Sequence, residues 1–157
     1  MKLQIIIITI ISALIVSCST ESVDITGKWE ERLDYKFSES IDSIAVTGIT
    51  EYNADGTFFA YLKEVEIPCN KMDVESISLT KLHMSGTWNL SGDRLIRHIV
   101  DLNGSMTVNP SGEKHPLGLS MIPEHEQLTA DYVLNMSNDK FETFDSEGIH
   151  TKHRRIK

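Results

Sequence analysis

Basic residues are scarce in this chain: 15 Lys and Arg stand against 23 Asp and Glu over 157 residues, a formal net charge of −8. A nucleic-acid binder normally carries a basic footprint, so that class is excluded. No apolar run is long enough to cross a bilayer. The run from Ile5 to Val16, broken by Thr9 and Ser12, would span about 18 Å as a helix, against the ~30 Å of a hydrocarbon core. The length suits one domain around a single core and excludes a multidomain machine. Catalytic signatures are missing too: there is no Gly-x-Ser-x-Gly, no phosphate-cradling glycine loop and no dinucleotide fingerprint. The carboxylates are so numerous that any two could meet by chance, which carries no argument for acid–base catalysis. The six histidines lack ligand spacing. His150 and His153 fall on opposite faces of a strand, His125-Glu126 has no second His of a zinc helix motif, and His83, His98 and His115 have no partner at useful spacing. We therefore expect no metal, no cofactor and no enzymatic activity.

Lys2 followed by a short apolar stretch has the layout of a signal peptide. The stretch ends in Leu14-Ile15-Val16-Ser17-Cys18, which resembles the bacterial lipobox: an aliphatic residue, a small residue before the cleavage point, then cysteine. The resemblance implies cleavage after Ser17 and acylation of Cys18, whose several acyl chains, at about 0.8 kcal/mol per buried CH₂, make a stable membrane anchor. Ser19 follows the cysteine. By the sorting rule of such lipoproteins, it implies the outer membrane, facing the periplasm. The chain then divides into a signal peptide (1–17), a lipidated Cys18 with its tether (18–26) and one domain (27–157). Because Lys2 is the only charge in the first 17 residues, the remainder carries −9. If Cys18 is acylated, Cys69 is left without an intramolecular disulfide partner. Cys69 has only Lys71 as a basic neighbour, which gives no case for a catalytic thiolate.

From Gly27 onward the pattern alternates. Trp29, Glu31, Leu33, Tyr35 and Phe37 share one face of the clearest half-buried strand, with Glu31 its single polar interruption. Further strands are expected over Asp42–Tyr52, Thr57–Ile67, Leu79–Leu90, Arg94–Leu102, Ser105–Val108, Gln127–Asn135, Lys140–Phe144 and Ile149–Ile156. Turn chemistry separates them at Asn53-Ala54-Asp55-Gly56, Ser91-Gly92-Asp93 and Asn103-Gly104. Residues 109–126 hold three of the four prolines and read as the longest irregular stretch, a place where function often resides. No segment shows a helical period. The expectation is an all-β chain: an antiparallel up-and-down barrel or meander sandwich of about eight or nine strands.

Gly27-Lys28-Trp29 at the head of the first strand resembles the Gly-x-Trp signature that opens lipocalins. So does the cadence of Ser85-Gly86-Thr87-Trp88-Asn89-Leu90-Ser91-Gly92-Asp93-Arg94-Leu95 and of Tyr132-Val133-Leu134-Asn135-Met136-Ser137, which is similar to bacterial lipocalin-like lipoproteins. The resemblance implies a lipocalin-like barrel and an Arg on the last strand packed across Trp29. Arg155 shares parity with Thr151 and His153 and takes that role. The sequence has little helical pattern, whereas full lipocalins carry a helix after the barrel, so the resemblance is expected to be to the shorter bacterial domains.

Phe59, Tyr61, Trp88 and Tyr132 are candidates to line a cavity, though aromatics at strand spacing equally fill a barrel. The functional expectation is non-enzymatic binding of a small apolar or amphipathic ligand by a membrane-anchored lipoprotein. The alternative is a protein-interaction lipoprotein, an envelope assembly factor or an inhibitor or immunity protein. Its acidity would steer basic partners, and the 109–126 stretch would make the contact.

Overall fold

The described residues form nine strands: β1 (Gly27–Tyr35), β2 (Ser43–Tyr52), β3 (Thr57–Ile67), β4 (Leu79–Ser91), β5 (Arg94–Val108), β6 (Glu113–Gly118), β7 (Leu128–Leu134), β8 (Lys140–Phe144) and β9 (His150–Arg155). The computed structural model describes residues 24–35, 43–67, 79–108 and 111–157. The expected signal peptide, Cys18 and Cys69 lie outside the described residues. Each strand pairs antiparallel with its neighbour, and β9 returns to β1 through Trp29 opposite Arg155 and Glu31 opposite His153. The result is an all-β closed barrel of eight strands with one extra strand, β6, consistent with a lipocalin-like barrel.

Two features differ from the sequence reading. Asn103-Gly104 is no turn, because β5 runs unbroken from Arg94 to Val108. Gly104 lies so close to β4 that a Cβ there would stand 2.2 Å from the Lys81 carbonyl oxygen; the glycine serves strand approach, not reversal. The 109–126 stretch is also more regular than its prolines suggest. It contains β6, then two 3-10 turns at Leu119–Met121 and Glu124–Glu126. Pro116 is tolerated in β6 because that strand pairs only with β5 among the described residues, so its other edge needs no donor. β6 and β7 lie end to end along β5, opposite 103–108 and 94–98 respectively. In the gap, the Ile99 amide donates to the Gln127 carbonyl at 2.8 Å.

The core fills the end of the barrel where the chain enters. Trp29, Tyr52, Phe58, Phe141, Ile25 and Leu95 are its largest fully buried side chains. Burial of each large apolar side chain contributes roughly 1.5–3 kcal/mol. The Trp29 indole donates to the Ile25 carbonyl at 2.7 Å and meets Phe141 edge-on at 4.6 Å. Arg155 lies flat over Trp29, 4.2 Å from the ring centroid, and its guanidinium donates to the carbonyls of Thr26, Asp24 and Asn138. Gly27 is required here on two counts. Its φ is +115°, and a Cβ would come within 2.8 Å of Arg155 Nη1.

Candidate functional site

Above the packed base, the inward face of the barrel turns polar. Glu31, the interruption in the β1 pattern, points inward with Trp29 and Leu33, as its strand parity demands. It lies 3.4 Å from His153 Nδ1, off hydrogen-bond geometry. The His153 ring stacks on Phe141 at 4.1 Å, and its Nε2 shares a 3.0 Å hydrogen bond with Thr143 Oγ1. On the facing wall, Arg97 of β5 donates to the Asp131 carboxylate of β7. The two are partly and almost fully buried, with side chains 20% and 9% exposed.

Burial alone would raise the Glu31 carboxyl. Its contact with His153, the charges on His153 and Arg97, and Thr50 outweigh that cost and hold it below its ordinary value. Burial raises the phenol of Tyr52, which lies in the same layer. Burial by itself would lower Arg97, but the Asp131 and Glu31 carboxylates outweigh that cost and keep it charged, beside the neutral Tyr52 phenol. Several polar atoms of this layer have no hydrogen-bond partner among the described residues: Glu31 Oε1, Arg97 Nε, His153 Nδ1, Thr129 Oγ1, Thr50 Oγ1 and the Tyr52 hydroxyl. Some of these atoms approach one another short of good geometry, Glu31 with His153 and Thr50, and Tyr52 with Arg97; buried polar atoms are rarely left fully unpaired, and this loosely satisfied layer can take further hydrogen bonds.

A cavity of about 200 Å³ stands on this layer. Leu33, Val46, Leu62, Met84 and Ile99 of β1–β5 form an apolar wall, and Thr129, Thr143 and Thr151 of β7–β9 form a hydroxyl-bearing wall. Glu31, Arg97 and His153 also line it. A larger concavity of about 700 Å³ lies against β1, β8 and β9, where Glu30, Arg32, Lys140, Lys152 and Arg154 contribute to its lining.

The aromatic candidates fall elsewhere. Phe59, Tyr61 and Tyr132 face outward, 57%, 41% and 42% exposed, so none of them lines the barrel interior; Phe59 and Tyr61 line instead an outer concavity of about 570 Å³ together with Ile49 and His83. The inward residues of β3 are Phe58, Ala60 and Leu62. The strand carries adjacent phenylalanines, and it is Phe58 that packs with Tyr52 in the core. Tyr132 lies under the Arg94 guanidinium on the outer surface. Trp88 is half-buried at the base, where its indole donates to the Asn53 carbonyl at 3.0 Å and meets Tyr52 edge-on; it plugs the barrel end instead of lining the cavity. Gly27, Trp29 and Arg155 come together at the base as described.

Sequence reasoning passed over Arg97, Asp131, Thr50 and Tyr52. Their signal was the one that exposed Glu31: a polar residue at an inward position of its strand, as Arg97 stands between Leu95 and Ile99. Among the described residues no group of His, Cys, Asp and Glu is arranged to hold a metal ion. Compared with known proteins, the chain matches no family model and no curated protein sequence.

Proposed function

We propose that this protein is a lipid-anchored lipoprotein of the bacterial cell envelope whose barrel binds a small apolar or amphipathic ligand without transforming it. The observation that carries the reading is the cavity with one apolar wall and a polar floor. Ligand sites combine apolar linings with a few placed polar groups in this way. The lipobox-like Leu14–Cys18 segment supports attachment through Cys18, and Ser19 supports the outer membrane, facing the periplasm. Native mass spectrometry of the protein released from envelopes, joined to displacement of an uncharged hydrophobic probe, tests the reading. A small-molecule adduct and saturable displacement are expected. A protein that carries nothing and displaces nothing would sink it.

A second reading, a protein-interaction lipoprotein, is favoured by the outer face of β2–β4. Ile49, Tyr61 and His83 follow one another across three strands, with Phe59 exposed beside them. Exposed apolar groups gathered on one face mark contact surfaces. If they do so here, changing Phe59 and Tyr61 to Ser abolishes recovery of an envelope partner in a pull-down. Equal recovery by both forms counts against this reading.

A further inference from the structure

We infer that the ligand of the barrel cavity carries an uncharged head group that both donates and accepts hydrogen bonds, an alcohol or a primary amide, seated against Glu31 and Arg97. The inference rests on the ligand-binding reading above and narrows its chemistry. Four residues lining the cavity hold buried polar atoms without a hydrogen bond among the described residues: Arg97 Nε, Thr129 Oγ1, and Glu31 Oε1 and His153 Nδ1, which face each other at 3.4 Å but are not aligned to bond, so Oε1 keeps lone pairs to accept from a ligand. A carboxylate oxygen can only accept, and a guanidinium nitrogen can only donate. The occupant must therefore offer a donor to one and an acceptor to the other.

Charge decides which head groups do so. Arg97 is already balanced by Asp131, and Glu31 stands beside His153. A fatty carboxylate would satisfy Arg97 Nε but bring a second anion against Glu31. An alkylammonium would satisfy Glu31 but bring a cation against Arg97, and it accepts nothing. Either leaves one buried group unpaired, which is costly in a low-dielectric site. A hydroxyl or carboxamide serves both groups without adding charge. The wall of Thr129, Thr143 and Thr151 offers further hydroxyls of the same dual character, while Leu33, Val46, Leu62, Met84 and Ile99 face the tail. A volume of about 200 Å³ limits that tail to a short chain.

The test is calorimetric titration of the intact protein in lipid nanodiscs, with empty nanodiscs as blank, against four probes sharing one tail: hexanol, hexanamide, hexanoate and hexylamine. Hexanol and hexanamide are expected to bind at least about tenfold more tightly than the two charged probes. Tightest binding by hexanoate or hexylamine overturns the head-group inference and leaves the ligand-binding reading standing. Binding by none of the four, together with no adduct in the native mass spectrum, overturns that reading instead. The variant Glu31→Gln removes the repelling anion, so hexanoate should gain on hexanamide. An unchanged ratio in a folded variant contradicts the role given to Glu31. If the variant does not fold, the order of the four probes on the native protein decides.

Discussion

Replacing Asp131 by Asn should cost this barrel a large share of its stability. Asn keeps the size of the side chain and one acceptor for Arg97, but it removes the balancing charge. Asp131 is 9% exposed and Arg97 20% exposed, and the Arg97–Asp131 pair sits between the apolar base and the cavity. Breaking a buried pair by removing one partner costs about 3–5 kcal/mol, because the other charge stays in a poor solvent. The residual exposure of Arg97 places the loss near the lower bound, about 3 kcal/mol. Domains of this size are stable by about 5–15 kcal/mol, so the loss is substantial. It corresponds to a fall in Tm of roughly 10 °C and to a shift of the urea midpoint by about 1–2 M. Urea denaturation of the wild type, Asp131→Asn, the single variants Arg97→Met and Asp131→Leu and the double variant Arg97→Met/Asp131→Leu measures it. The double variant should lose less than the sum of the singles, since both charges of the pair go together, while Glu31 is left with His153 and Thr50 to support its buried charge. A loss below about 1 kcal/mol for Asp131→Asn, the value of an exposed pair, would refute the argument that this layer is shielded from water.

Three further outcomes follow from the same geometry. The Glu31 carboxyl is held below its ordinary value of 4.5 in the folded protein, so the unfolded chain binds the extra proton first. Its contribution is complete above that value and is lost as pH falls through the folded value; urea midpoints of wild type and Glu31→Gln should converge on acidification below about pH 4.5, and parallel curves would count against it. Arg155→Ala removes three donors to backbone carbonyls and the cover of Trp29, an expected loss of about 2–4 kcal/mol in thermal or urea unfolding. Arg155→Lys should restore little of it, because an ammonium cannot reproduce the planar fork. Cys18→Ser should abolish incorporation of labelled palmitate and shift the protein out of the lipid-anchored fraction; retained labelling would show that the acyl chain sits elsewhere.

Most strands, their antiparallel pairing and the first strand's inward face were legible because alternation depends only on residues two apart. Even Glu31 announced itself as a polar residue on an apolar face. The polar layer was harder to read, since Arg97, Asp131 and His153 come from three strands and meet only on closure. A bulge near Val100 also shifts parity within β5, so Leu95, Arg97 and Ile99 point inward before it and Leu102 after it. Strict alternation along that strand cannot anticipate the change. In β3 the side chains on both faces are large, and which face is buried is settled by Gly86 lying across from Phe58, not by the strand's own pattern. β6 escaped notice because Pro116 argues against a central strand and says nothing against an edge.

The barrel wall is unevenly sewn. β4 and β5 are joined along their whole length, from Leu79–Thr107 to Ser91–Arg94, whereas β7 and β8 meet only from Tyr132–Phe144 to Leu134–Glu142. Local opening draws on the weakest ladder first. The amides of β8 should therefore exchange with solvent well before those of β4, and the short seam is where the barrel breathes. Thr143 of the cavity sits in the middle pair of that seam, opposite Val133, so opening it would expose the polar floor sideways without any strand of the long wall having to part.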